Sequence, residues 1–61
     1  MKQMSEKEII NYIEKQINNI DKTQDVTLQQ YNITIILKFL WRLHIIETKF
    51  LQELLIKLQN I

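Results

Sequence analysis

The 61-residue chain contains neither glycine nor proline. Glycine supplies positive-φ positions in tight turns, and proline rigidifies turns and stops helices. Hairpins and glycine-rich phosphate loops depend on such residues, so a chain without them is suited to long helices and few turns. Cysteine is also absent and His44 is the only imidazole, which rules out disulfides and leaves a poor ligand set for zinc. We therefore predict a single all-α domain over residues 1–61, with no metal or other cofactor.

The first predicted helix covers residues 5–20. Ser5 and Glu8 have the spacing of a capping box, in which each side chain bonds the backbone amide of the other residue. The apolar residues that follow recur on one helical face: Ile9, Ile10, Tyr12, Ile13, Ile17 and Ile20. Residues 21–26 are rich in turn formers and predict a loop, with Asp25 and Thr27 as alternative caps of the next helix.

The second predicted helix covers residues 27–60, because no strong stop signal follows Thr27. Its apolar residues fall within one half of a single helical wheel: Ile33, Ile36, Phe39, Leu40, Leu43, Ile46, Phe50, Leu51, Leu54, Leu55, Leu58 and Ile61. Since this phase continues through residues 47–49, we favour one long helix. A break near residues 47–49, which would give three helices, is the alternative.

The unequal lengths of the two predicted helices suggest a second copy of the chain. At 1.5 Å per residue they measure about 24 Å and about 50 Å, so the short helix covers half of the long one. We predict that the helical hairpin (short helix, loop, long helix) forms an antiparallel homodimeric helical bundle, in which the second copy covers the remaining apolar surface. The predicted dimer interface comprises Ile36, Phe39, Leu40, Leu43, Ile46, Phe50, Leu51, Leu54 and Leu58.

His44 and Glu47 project onto the apolar half of the predicted long helix. In an antiparallel dimer centred between them, His44 of one copy would approach Glu47 of the other and fix the register. The alternative is that both side chains lie at the edge of the apolar face and reach solvent.

A basic stripe with apolar neighbours marks a second surface of the predicted long helix. It comprises Tyr31, Lys38, Trp41, Arg42, Ile45 and Lys49. This surface is a hypothetical partner-binding face, since tryptophan is enriched in interface hot spots. The alternative is an ordinary solvated face, because Lys and Arg stems often lie along apolar surface with their charges in water.

Charge and hydropathy restrict the compartment and the class of partner. The net charge of +1 is far from the basic excess of a nucleic-acid-binding domain. The most apolar stretch, residues 33–46, is interrupted by Lys38, Arg42 and His44, whereas a membrane-spanning helix needs about 20 largely uncharged residues. The N-terminus also lacks the apolar run of a signal peptide. We predict a cytoplasmic protein without a membrane span.

The sequence contains no enzyme motif, so we predict a non-enzymatic role. The expected function is a small dimeric adaptor or modulator that binds and regulates a larger protein. In size and composition, though in no motif, the chain resembles compact regulators encoded by phages and plasmids. The first alternative is a nucleic-acid-binding regulator: either a transcriptional regulator or an RNA-binding protein similar to the Rop-type plasmid-control proteins, from which the unequal helices depart. The second alternative is an amphipathic protein that lies on a membrane surface.

Overall fold

The computed structural model describes residues 4–61 and arranges them as three α-helices. These are α1, Glu6–Asn18; α2, Val26–Arg42; and α3, Thr48–Gln59, and each helix contacts the other two. No strand occurs among the described residues, so the all-α prediction is confirmed. The prediction of one long second helix is corrected: α2 and α3 are separate helices, joined by a turn at residues 43–47. The chain breaks close to the position that the three-helix alternative named.

The first helix begins as its sequence predicts. The Ser5 hydroxyl accepts a hydrogen bond from the Glu8 amide at 3.2 Å, and the Glu8 carboxylate accepts one from the Ser5 amide at 3.3 Å. This reciprocal pair satisfies two amide groups that the first helical turn leaves without partners. Ile13 and Ile17, four residues apart on one face, are then buried against the other helices.

The loop between α1 and α2 is held by side-chain hydrogen bonds. The Gln29 side-chain amide donates to the Asp21 carbonyl at 2.8 Å and accepts from the Asp21 amide at 2.9 Å. The Asp21 carboxylate accepts from the Thr23 hydroxyl and amide, and these bonds hold the pKa of Asp21 below its ordinary value. Asp25 caps α2 by accepting from the Leu28 amide at 3.1 Å, so Asp25, and not Thr27, is the cap.

The break after α2 is a Schellman motif built without glycine. The Ile45 amide donates to the Leu40 carbonyl at 2.9 Å, and the His44 amide donates to the Trp41 carbonyl at 3.0 Å. His44 has a φ of 60°, the left-handed conformation that glycine usually adopts at this position. Because the residue there is histidine, the sequence carries no recognisable stop signal, and this is why the continuous helix was predicted.

Replacing His44 by glycine is expected to stabilise the fold by about 0.5–1 kcal/mol. A residue with a Cβ destabilises the folded state by about 1–2 kcal/mol when it is left-handed, and glycine removes this strain. Glycine also gives the unfolded chain more conformational freedom, which lowers the stability gained by about 0.4–1 kcal/mol. Urea unfolding followed by circular dichroism measures the difference. His44→Ala keeps a Cβ and should not stabilise the protein; stabilisation of equal size by both variants would contradict this account.

The core lies between one face of each helix. Its buried members are Ile13, Ile17, Ile20, Leu37, Ile46, Leu51, Leu54 and Leu58. The first and third helices contribute most of this set, whereas α2 contributes Leu37 alone. Val26, Ile33 and Leu40 of α2 are partly buried against this core, while the opposite apolar side of the helix lies outside it.

Side chains from neighbouring elements complete the third helix. Glu47 is its N-cap residue but makes no side-chain capping bond, and its amide donates to the Glu6 carboxylate at 3.0 Å. In a capping box, the N-cap amide donates to the side chain of the third residue of the same helix. Here Glu6, which belongs to α1, takes the place of that acceptor for α3. Further along, Lys57 pairs with Glu14 at 2.9 Å.

None of the helices in residues 4–61 is both long enough and apolar enough to cross a bilayer.

Candidate interaction surface

The side of α2 that faces away from the core is mostly apolar, with the exposed polar residues Asn32 and Arg42 among its apolar residues. We name it the α2 outer face; its residues are Leu28, Tyr31, Ile35, Ile36, Phe39 and Leu43. All are about half exposed or more, up to 62% at Phe39, whereas Leu37 on the opposite side is fully buried. The second helix is therefore apolar on two sides, as is usual for a helix at the centre of an assembly.

The α2 outer face is large for a protein of this size. A large side chain presents about 150–200 Å² when fully exposed, so six that are half exposed present on the order of 500 Å². The largest apolar patch on a typical monomer is about 300–600 Å² and often marks a binding site. On a chain of 61 residues, a patch of this extent occupies a larger share of the surface than it does on a larger monomer.

The charges along α2 are all positive. No acidic residue occurs between Val26 and Ile46, while Lys38 borders the outer face and Arg42 projects onto it. Within residues 4–61, neither cation has a carboxylate within ion-pair distance. Acidic side chains flank this segment at Asp25, the N-cap of α2, and at Glu47.

A second exposed feature lies at the corner between α2 and α3. A shallow cavity of about 500 Å³ is lined there by Trp41, Arg42, His44 and Thr48. The Trp41 indole N–H donates to the Thr48 hydroxyl at 2.9 Å, which fixes the ring while leaving the residue 40% exposed. We name these four residues the α2–α3 corner. At 100° per residue, Trp41 lies about 120° around the helix from Ile35, whereas Arg42 lies about 20° from it, so the corner meets the α2 outer face at Arg42.

The structure divides the residues predicted for a dimer interface. Ile46, Leu51, Leu54 and Leu58 are buried within the single chain, so they are not available to a second copy. Leu40 and Phe50 are half-buried, while Ile36, Phe39 and Leu43 are exposed on the α2 outer face. The division follows from the break, because α3 folds back on α1 and covers the surface that a second copy was predicted to cover.

The predicted register pair lies in the turn between α2 and α3. His44 is the left-handed residue after α2, and Glu47 is the N-cap of α3; both are exposed. The Glu47 carboxylate lies 3.5 Å from the Lys49 ammonium of the same chain. The helical geometry that would have set His44 against Glu47 of another copy is therefore absent from this segment.

The predicted partner-binding face is also divided. Trp41 and Arg42 belong to the α2–α3 corner, and Tyr31 belongs to the α2 outer face. Lys38 lies on the flank of α2, Ile45 is 37% exposed in the turn, and the Lys49 ammonium lies 5.0 Å from the centre of the Phe50 ring. These six residues therefore do not form one continuous stripe.

Sequence reasoning missed Leu28 as a surface residue and Leu37 as a core residue. A helical wheel drawn for one continuous helix through residues 43–47 gives an average apolar direction that differs from the buried side of α2. A helical wheel drawn for residues 26–42 alone places apolar residues on both sides of the helix. That pattern indicates that one side can be buried in the chain while the other stays exposed.

Comparison of the chain with known protein families, characterised proteins and solved structures found no match. Among residues 4–61, no three acidic, histidine or cysteine side chains are grouped as metal ligands would be.

Proposed function

We propose that this protein is a small cytoplasmic, homodimeric interaction module that binds and modulates a larger protein. The observation that carries the proposal is the α2 outer face, whose apolar residues are left 49–62% exposed by the fold of the chain. Exposed apolar surface of this extent lowers solubility unless it is covered, so its presence favours an association role.

The α2–α3 corner is the surface that we assign to the larger protein. Trp41 offers a large apolar ring held in one orientation, and tryptophan is enriched in the few residues that dominate binding energy. Arg42 beside it supplies several fixed hydrogen-bond donors for a carboxylate on the partner. An apolar anchor next to a cation fits a protein surface with an acidic rim.

The charge distribution favours a protein partner over nucleic acid. Lys49 is paired with Glu47. Near the α2–α3 corner, Lys38 and Arg42 are then the cations that could contact a phosphate backbone. Each neutralised phosphate adds to affinity, and proteins that bind nucleic acid commonly contact six to ten phosphates or more. A net charge of +1 supplies little of this attraction.

Site-specific photo-crosslinking in the native host tests the role of the corner. A photoreactive residue in place of Trp41 is expected to give an adduct with one larger protein. The same residue in place of Lys22, an exposed position in the loop at the opposite end of the bundle, serves as the matched control and should give no such adduct. Mass spectrometry of the adducts measures both results.

Two results would contradict the proposed function. Equal adducts from both positions would mean that the corner is not a specific surface. Crosslinks from position 41 to RNA or DNA, lost when the salt concentration is raised, would support the nucleic-acid alternative instead.

A further inference from the structure

We infer that the α2 outer face is covered by the same face of a second copy, with the two α2 helices packed antiparallel about a two-fold axis near Ile35 and Ile36. The inference rests on the proposed function, because it assigns the interface of the homodimer. It also replaces the interface predicted from the sequence, whose central leucines are buried within the chain.

The exposed area reaches the lower size limit of a specific dimer interface. Two outer faces of on the order of 500 Å² each would remove about 1,000 Å² of apolar surface from water, and the polar flanks enlarge the footprint. Specific interfaces begin at about 1,000–1,200 Å² in total. The contact therefore reaches the size of a biological interface without any rearrangement of the three-helix fold.

The positions of the apolar residues are self-complementary in the antiparallel direction. With the axis between Ile35 and Ile36, Leu28 of one copy lies opposite Leu43 of the other. Tyr31 then falls beside Phe39 of the second copy, which allows an aromatic pair on each side of the axis. A two-fold interface requires the same patch to meet itself in this way.

Charge selects the antiparallel direction over the parallel one. In a parallel pair, Lys38 and Arg42 would each face their own counterparts, and no acid on α2 would offset the repulsion. In the antiparallel pair, the two Arg42 residues are about 20 Å apart along the axis. Each then lies opposite the uncharged Gln29 of the second copy, so like charges do not meet across the interface.

Sedimentation equilibrium of the purified full chain from about 1 µM to 1 mM tests the interface. The native protein is expected to be a dimer at the upper concentrations. Ile35→Glu should weaken the dimer by about 30-fold or more, because it places two carboxylates at the axis. The matched control is Ile56→Glu, which makes the same change at a somewhat more exposed position on α3 and should leave the dimer constant unchanged.

Engineered cysteines test the direction of packing, since the chain has no cysteine of its own. A mixture of Leu28→Cys and Leu43→Cys proteins should form the mixed disulfide under mild oxidation. Neither variant alone should form a disulfide-linked dimer, because in each case the two identical positions lie about 20 Å or more apart. Disulfide dimers of each variant alone, without the mixed species, would show parallel packing and overturn the inference.

The two proposals fail in different ways. A native chain that remains monomeric at 1 mM, or a dimer weakened equally by Ile35→Glu and Ile56→Glu, would overturn the α2 interface. A monomer at 1 mM would also remove the homodimer from the proposed function, but neither result would affect the crosslink from position 41, which reports the larger partner. Circular dichroism of each variant establishes that a lost dimer reflects lost association and not unfolding.

Discussion

Replacing Leu54 by alanine is expected to remove most of the stability of the fold at 25 °C. Leu54 is 1% exposed, on the face of α3 that packs into the core. Truncating a buried leucine to alanine costs about 2–5 kcal/mol through the lost transfer energy and the cavity left behind. A core of this size rarely supplies more than about 3–5 kcal/mol in total, so the loss is comparable with the whole stability.

Ile56→Ala is the matched control for Leu54→Ala. Ile56 lies on the same helix but is 58% exposed, so its truncation should change stability by no more than about 0.5 kcal/mol. Chemical denaturation followed by far-ultraviolet circular dichroism at one fixed protein concentration compares the two variants. A well-folded Leu54→Ala protein with a native midpoint would mean that α3 does not pack on α1 and α2 as described.

Replacing Ile46 by alanine is expected to destabilise the fold by about 2–4 kcal/mol, although the residue lies outside every helix. Ile46 is 2% exposed and enters the core from the turn between α2 and α3. Turn residues are usually solvated and tolerant of substitution, so a loss of this size identifies the turn as part of the core.

Ile45→Ala tests which of the two neighbouring turn residues enters the core. Ile45 is adjacent in sequence but 37% exposed, so less area is lost and the expected cost is below about 1.5 kcal/mol. Thermal unfolding of both variants gives the comparison. Similar losses at the two positions would contradict the placement of Ile46 in the core and of Ile45 at the surface.

Local sequence signals placed the ends of the helices that use ordinary capping chemistry. The Ser5 and Glu8 pair predicted the start of α1, and the cap at Asp25 was one of two alternatives for α2. Such signals act between residues three or four apart, so they need no knowledge of the rest of the chain. The end of α2 was not predicted, because His44 takes the conformation for which glycine is the usual marker.

The division of apolar residues between core and surface could not be predicted from the wheel. Phe39 and Leu37 are both strongly apolar and two residues apart, yet one is 62% exposed and the other is fully buried. When a helix is apolar on two sides, its sequence does not say which side faces its own chain. That choice depends on how α1 and α3 pack against it, which is decided over long sequence separations.

The sequence alone determined that this chain is all-helical, because it has no glycine or proline for hairpins and its apolar residues repeat with helical spacing. Only the tertiary structure decided that the second half folds back as two helices. Contacts such as that of Glu6 with the Glu47 amide, and of Gln30 with the Leu58 carbonyl, join residues distant in sequence. These contacts stabilise only the folded chain. Because they join residues far apart in sequence, no local sequence pattern predicts them.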